Sequence, residues 1–179
     1  MFTNLPAVEV RRILYATDLS ESAKKALAWA IDLANTYGAQ LVMLHVIDKA
    51  PEIVDGQVIG YIGAAEWEHI RNDYDEELDE LLKRKNAGKE VMRRILKRCK
   101  RDITAVCPNC PQDMEDEVLV KHGEAVSAIL ETAKEKQCDL IVMGSHGHSS
   151  FLDALMGVTA TRVIRRAEVP VLVVRLPKD

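Results

Sequence analysis

Three glycines at fixed spacing indicate a loop that binds phosphate. Gly144, Gly147 and Gly157 follow the apolar run "DLIVM", and the hydroxyls of Ser149 and Ser150 lie between them. Glycine lets the backbone approach an anion closely, and the first amides of a following helix carry partial positive charge. The Gly-Lys-[Ser/Thr] end of a Walker A loop is absent here, so that class of loop is excluded.

The last glycine falls inside a run with helical spacing. "FLDALMGVTATRVIRR" predicts a helix over residues 151–166, and a glycine within a helix costs about 1 kcal/mol relative to alanine. Gly157 therefore requires a packing or ligand reason. His146 and His148, in the same loop, are candidate hydrogen-bond donors to phosphate, but their spacing alone does not make a metal site.

A carboxylate follows the first apolar run of the chain. Asp18 begins "DLSE", a capping-box pattern in which Asp18 accepts from the first amides of the next helix and Glu21 reaches back. The same carboxylate can accept hydrogen bonds from a ribose hydroxyl, and it has enough lone pairs for some of both roles. Both interpretations stay open.

The cysteines allow three interpretations. "CPNC" is a redox pair, half of a zinc site, or two ordinary thiols in a surface insertion. A redox pair would begin a helix after a strand, which this one does not, and a zinc site needs two further ligands. With a single CxxC motif, zinc is not the preferred hypothesis. The candidate metal ligands are Cys99, Cys107, Cys110 and His122, with Cys138 at the start of the next strand.

Five short apolar runs predict the elements that position these residues. They cover residues 12–16, 40–47, 117–121, 139–143 and 169–174. Runs that are apolar on both faces are typical of buried parallel strands. Helical spacing between the runs predicts helices, the first ending at Gly38 and later ones over residues 67–101 and 125–135. The expected fold is α/β: a doubly wound, five-stranded parallel sheet in the order 3-2-1-4-5 with helices on both faces.

Ligands of such sheets bind beyond the carboxyl ends of the strands, where the strand order reverses. In the predicted order, this point lies between the first and fourth strands. Asp18 follows the first strand and the glycine loop follows the fourth. The topology therefore predicts that the two face each other. His45, at the end of the second strand, is expected to be a histidine with its hydrogen bonds satisfied.

Composition favours one cytoplasmic domain. The chain has 179 residues, 47% of them hydrophobic, and a formal net charge of −4, which fits a single domain over residues 1–179. Residues 48–66 are expected to form a mobile loop, and residues 102–116 a cysteine-containing insertion. The absence of a basic stripe argues against nucleic acid, and no apolar run is long enough for a membrane helix.

Across nearly its whole length the chain resembles the universal stress protein family. The matching segments are "ILYATDLSESAKKAL", "LVMLHVID", "VKHGEAVSAIL", "DLIVMGSHG" and "RRAEVPVLVV", in that order. Members that bind ATP carry Gly-x-x-Gly, nine residues, then Gly-[Ser/Thr], and the three glycines here match that spacing. The resemblance implies a fold like that of the adenine nucleotide alpha hydrolases and a site for ATP or AMP, with Mg²⁺ as an optional companion of ATP.

By the same resemblance, glycine amides hold the phosphates, Asp18 faces the ribose, and the Val46 backbone reads the adenine edge. The full set of implied binding residues is Ala16, Thr17, Asp18, Val46, Met143, Gly144, His146, Gly147, His148, Ser149, Gly157, Val158 and Thr159. Val158 departs from the family pattern, which has a hydroxyl there. The loss of one hydrogen bond to a charged oxygen is worth about 1.5–3 kcal/mol, so weaker binding is expected.

The resemblance implies a regulatory homodimer rather than an enzyme. Residues 169–176, the last strand, are expected to pair with a second copy, and a further protein partner is expected but not identified by the sequence. ATP hydrolysis would be slow and incidental, because no hydrolase triad or carboxylate pair is evident. The alternative is a nucleotide-free stress-response dimer that senses zinc or oxidation through its cysteine insertion. A weaker alternative is an enzyme that consumes ATP.

Overall fold

Strands and helices alternate along the described part of the chain. The computed structural model describes residues 7–47, 63–65, 68, 117–145 and 156–175. The predicted loop 48–66, the helix expected over 67–101 and the insertion 102–116 lie almost wholly outside these residues. The elements in chain order are β1 (Arg12–Thr17), α1 (Glu21–Tyr37), β2 (Gln40–Ile47), β3 (Glu117–His122), α2 (Ala125–Glu135), β4 (Leu140–Gly144), α3 (Val158–Arg166) and β5 (Val171–Val174).

The sheet has the predicted topology. Among the described residues, the four strand pairings are all parallel, and the order is β3-β2-β1-β4-β5. β1 lies in the centre, with β2 on one side and β4 on the other. The chain first builds outward from β1 to β3, then crosses to β4 and continues to β5. The strand order therefore reverses between β1 and β4, as the sequence predicted.

The sheet is buried on both faces, which explains the unbroken apolar runs. Ile13 and Tyr15 of β1 pack in one core cluster with the apolar face of α1. Leu14 and Ala16, which point the other way, pack in a second cluster with residues of α2 and α3. Alternate strand residues thus serve opposite layers, and the described helices cover both faces.

The ends of α1 differ in part from the prediction. Gly38 ends the helix as expected, with a left-handed backbone (φ 62°) that glycine adopts without strain. The capping-box interpretation of Asp18 is wrong in detail, because Ser20 is the N-cap and accepts from the Ala23 amide at 3.2 Å. Asp18 lies two residues earlier and accepts from the Ser20 amide at 3.0 Å. The carboxylate therefore stabilises the turn before the helix, not its first turn.

The last strand is shorter at its start than the sequence indicated. β5 begins at Val171, whereas the apolar run begins at Val169. Pro170 has no amide to give to a ladder, and its carbonyl accepts from Ile141 at 3.0 Å. In the described ranges, no helix combines the length and apolarity needed to cross a bilayer.

The buried hydroxyl of Thr132 leads to a stability prediction. Thr132 is fully buried on α2, and its Oγ1 has no hydrogen-bond partner. An unsatisfied buried hydroxyl carries a desolvation penalty of about 1–3 kcal/mol, which a methyl group of similar shape avoids. Thr132→Val is therefore expected to raise the free energy of unfolding by about 1 kcal/mol, measured by urea denaturation. Thr132→Ser is the control, because it keeps the hydroxyl and loses a methyl; equal stability of both variants would contradict the interpretation.

Candidate functional site

The carboxyl ends of β1 and β4 form the floor of a crevice. Ala16 and Met143 are register partners in the β1–β4 ladder, so Thr17 and Gly144, the next residues, lie side by side where the strands end. The helices that follow these two strands pack on opposite faces of the sheet. The helices after β1 and β4 thus lie on opposite sides of the sheet, and the edge between the two strand ends is where ligands of such sheets bind.

A tight turn follows β1 on one side of this crevice. The Thr17 Oγ1 accepts from the Leu19 amide at 3.0 Å, and the Asp18 Oδ1 accepts from the Ser20 amide at 3.0 Å. Leu19 has a left-handed backbone (φ 63°), which is unusual for a residue with a side chain. Thr17 and Leu19 are buried, whereas Asp18 between them is exposed. The turn therefore presents one carboxylate to solvent at the end of β1.

The start of α3 forms the other side, and here the sequence prediction was wrong. Gly157 is not inside a helix: it is the N-cap of α3, with φ −54° and ψ 151°. Its amide donates to the Ser145 carbonyl at 2.8 Å, and its carbonyl accepts from Thr161 at 3.0 Å. This backbone conformation is open to any residue, so the penalty assigned to a mid-helix glycine does not apply. The absence of a side chain is what distinguishes Gly157.

The first turn of α3 has backbone amides without a side-chain cap. The first amides of any helix have no intrahelical partner. In α3 these belong to Val158, Thr159 and Ala160, and the N-cap Gly157 has no side chain that could accept from them. The first turn contains no acidic residue, and Arg165 and Arg166 lie in the last turn. The positive end of the helix dipole is thus not neutralised by the helix's own residues. Val158, in this turn, is 66% exposed.

The other two described helices contrast with α3. Ser20 caps α1 through its hydroxyl. Glu124 caps α2, accepting from the Ser127 amide at 2.7 Å. This backbone hydrogen bond lowers the pKa of Glu124 below its ordinary value. Among the described helices, α3 is therefore the one whose N-cap supplies no acceptor for its first amides.

Ser145 is a residue of this region that the sequence reasoning missed. It is fully buried, its amide donates to the Val174 carbonyl at 2.8 Å, and its carbonyl accepts from Gly157. It therefore joins the end of β4 to both the end of β5 and the start of α3. The only sequence signal for Ser145 was its position between Gly144 and Gly147, two glycines of the predicted phosphate loop.

The backbone of Val46 also faces the crevice. In a parallel ladder, alternate residues bond to opposite neighbours. The Gln40 amide bonds to Arg11, and the Ile47 carbonyl bonds to Gly123 beyond β3, so Val46 faces the β1 side. The amide that would continue this ladder is that of Leu19, which donates to Thr17 Oγ1 instead. The Val46 carbonyl is thus directed to the space beyond the end of β1.

His45, in β2, contacts the end of β1. It is 9% exposed, and its Nδ1 lies 2.9 Å from the Thr17 carbonyl. A carbonyl only accepts, so Nδ1 carries the proton in this contact. The histidine is hydrogen-bonded, as the sequence interpretation expected, and it is also buried.

Several predicted residues cannot be placed. Within the nucleotide set, His146, Gly147, His148 and Ser149 lie outside the described residues, as do the candidate metal ligands Cys99, Cys107 and Cys110. His122 is exposed at the end of β3. Among the residues that are described, no group of three or more His, Cys, Asp or Glu side chains could hold a metal.

Cys138 is buried, and its reactivity can be predicted. The side chain is 4% exposed, and burial raises the pKa of its thiol to about 11. The thiolate is the nucleophile, so the folded protein should react very slowly at this position near neutral pH. In a Cys99→Ser, Cys107→Ser, Cys110→Ser background, we expect Ellman's reagent to label Cys138 at the rate of unfolding. Rapid labelling of the folded protein at pH 7.5 would contradict this; the same reaction in denaturant is the control.

Comparison with known proteins identifies the chain. The sequence model of the universal stress protein family matches residues 9–175. The chain belongs to the universal stress protein family. The universal stress protein MJ0531 of Methanocaldococcus jannaschii is 30% identical over 168 residues, which cover 94% of this chain and 84% of that relative.

Solved structures of universal stress proteins share the fold. UspA of Lactobacillus plantarum is 22% identical, with a TM-score of 0.60 over 94% of this chain and 100% of that one. A universal stress protein in complex with cAMP is 21% identical, with a TM-score of 0.57 over 93% of this chain and 98% of that one. A family member from Arabidopsis thaliana with AMP bound is 15% identical, with a TM-score of 0.53 over 94% of both chains.

Proposed function

We propose that this universal stress protein binds ATP or AMP in the crevice between β1 and β4 and acts as a regulatory homodimer. One observation carries the proposal. The first turn of α3, with no side-chain cap at Gly157, and the Asp18 carboxylate flank the point where the strand order reverses. A nucleotide is a ligand with an anion at one end and hydroxyls in the middle, which suits this arrangement.

The phosphates would bind at the start of α3. Backbone amides and the helix dipole attract an anion there, and Gly157 adds no side chain that could occupy the amides or obstruct the approach. The glycine pattern of Gly144, Gly147 and Gly157 matches that of family members that bind ATP. The glycine spacing and the geometry at the start of α3 therefore both favour binding of the phosphate end of the nucleotide at this helix.

The ribose and base would bind along the ends of β1 and β2. Asp18 can accept from ribose hydroxyls while keeping its bond to Ser20. The Val46 carbonyl is an acceptor, which suits the amino group of adenine and opposes the carbonyl oxygen of guanine. Adenine nucleotides should therefore bind more tightly than guanine nucleotides. The family structures with cAMP and AMP support the same ligand class.

The dimer would form through β5. Its described neighbour is β4, and Val171, Leu172 and Val173 are only partly buried. An apolar edge strand needs a cover, and a second copy of the same strand supplies one through two-fold symmetry. Ser145 hydrogen-bonds to both β5 and the start of α3. A change at α3 on nucleotide binding would therefore reach the dimer interface through one residue. Regulation, not turnover, is the proposed role.

Calorimetric titration of the full chain, freed of nucleotide, tests the proposal. We expect ATP or AMP to bind with one site per chain and GTP to bind at least about tenfold more weakly, as the loss of one good hydrogen bond to the base requires. Parallel titrations with Mg²⁺ and with EDTA show whether the metal contributes. No binding of either adenine nucleotide at millimolar concentration, or stoichiometric zinc in nucleotide-free protein, would overturn the proposal.

A further inference from the structure

Leu19 combines a disfavoured backbone with a buried side chain. Its φ is 63°, in the left-handed region that leucine rarely adopts because its Cβ meets the neighbouring carbonyl. Its side chain is 1% exposed and belongs to the core cluster that includes Ala23 and Leu27 of α1. Such strain persists only where surrounding contacts hold it, and it concentrates at functional sites.

The left-handed turn has two consequences at the crevice. Within this turn the Leu19 amide donates to Thr17 Oγ1 at 3.0 Å and not to the Val46 carbonyl, the acceptor that would continue the ladder. The turn also sets the path of the chain between Thr17, which is 6% exposed, and Ser20, which is 7% exposed. Asp18 is thereby held in an exposed position between two buried neighbours.

The residue type matters as much as the angle. A glycine would adopt this φ without strain, but it would not be anchored in the core, and the turn would sample other conformations. With leucine the backbone is strained, but the turn is held in one conformation because the side chain packs in the core. The sequence thus favours a rigid turn over an unstrained one.

We propose that Leu19 is a positioning residue: its core-anchored, left-handed turn keeps the Val46 carbonyl available to the base and holds the Asp18 carboxylate toward the ribose. The inference rests on the proposed nucleotide function and deepens it. Leu19 itself does not touch the ligand. Its contribution is to hold both recognition groups in place before the nucleotide arrives, which reduces the ordering cost of binding.

The test is ribose discrimination, which a purely structural role would not change in a folded variant. ATP, 2′-deoxy-ATP and 3′-deoxy-ATP are titrated into the wild type, Leu19→Gly and Leu19→Met. In the wild type, at least one deoxy analogue should bind about tenfold more weakly, as expected for one lost hydrogen bond to a carboxylate. In Leu19→Gly the ratio of ATP affinity to deoxy-analogue affinity should fall to about twofold or less. Leu19→Met keeps an apolar anchor of similar volume and should restore most of it.

Thr17→Val is the second variant, in case Leu19→Gly does not fold. It removes the acceptor of the Leu19 amide with little change in shape, and it should lower the same ratio. Wild-type discrimination that survives in folded Leu19→Gly or Thr17→Val overturns the inference and leaves the proposed function intact. A wild type that binds no adenine nucleotide overturns both.

Discussion

Replacing Gly157 with aspartate is expected to stabilise the ligand-free protein and to abolish nucleotide binding. Gly157 is the N-cap of α3 in an extended conformation (φ −54°, ψ 151°) that aspartate adopts without strain. The new carboxylate would accept from the first amides of α3, for which Gly157 provides no side-chain cap, and interact favourably with the helix dipole. Together these effects should raise the free energy of unfolding by about 0.5–1 kcal/mol.

The same substitution places a negative charge where the phosphates are proposed to bind. The carboxylate would occupy the amides that the phosphate needs and repel its charge. Each hydrogen bond to a charged group is worth about 1.5–3 kcal/mol, so affinity for ATP should fall at least about a hundredfold. Urea denaturation measures the first effect, and calorimetric titration measures the second.

Gly157→Asn is the matched control. Asparagine is also a good N-cap, of nearly the same shape, but carries no charge. It should stabilise the protein by a few tenths of a kcal/mol and weaken ATP binding by about tenfold, because it competes for the amides without repelling the phosphates. ATP affinity within threefold of the wild type in Gly157→Asp would show that the phosphates do not bind at α3.

Val158→Ser is expected to strengthen ATP binding by about ten- to a hundredfold. By the resemblance, Val158 stands where members that bind ATP have serine or threonine, and it lies in the first turn of α3 with 66% of its surface exposed. Serine there would place a hydroxyl within the proposed phosphate site. A hydrogen bond to a charged oxygen contributes about 1.5–3 kcal/mol, and the exposed valine contributes little to stability, so the folded state should be unaffected.

Two controls separate the hydroxyl from the loss of the branched side chain. Val158→Ala removes the γ-carbons without adding a hydroxyl, and Val158→Thr adds the hydroxyl while keeping the branched shape. Val158→Thr should therefore bind ATP more tightly than the wild type, and Val158→Ala should not. If alanine gains as much as serine, the valine limits binding by its bulk. If neither hydroxyl variant gains, the terminal phosphate does not reach this residue.

Much of the fold could be predicted because buried parallel strands and amphipathic helices leave strong local patterns. The β2 run over residues 40–47 matches the strand Gln40–Ile47, and α2 spans Ala125–Glu135 as its spacing indicated. The alternation of elements, with the right-handed connections of parallel strands, then restricts the sheet to few orders. The point of reversal between β1 and β4 followed from that order.

The errors occurred where a local pattern competed with a tertiary contact. Helical spacing continues through Gly157, yet α3 begins after it, because the Gly157 amide bonds to Ser145 at the end of β4. The capping-box pattern pointed to Asp18, but the left-handed Leu19 places Ser20 at the N-cap instead. In neither case does the deciding contact form a periodic pattern that a single sequence displays.

The sequence by itself determined the elements, their order in the sheet and the residue types of the site, because apolar periodicity and glycine spacing are properties of neighbouring residues. Only the tertiary structure decided how those residues are presented. Burial of the Leu19 side chain holds a strained turn, which exposes Asp18 and leaves the Leu19 amide bonded to Thr17 Oγ1 instead of to the Val46 carbonyl. Strain of this kind is stabilised by contacts between distant segments, so its position becomes visible only when those segments have packed.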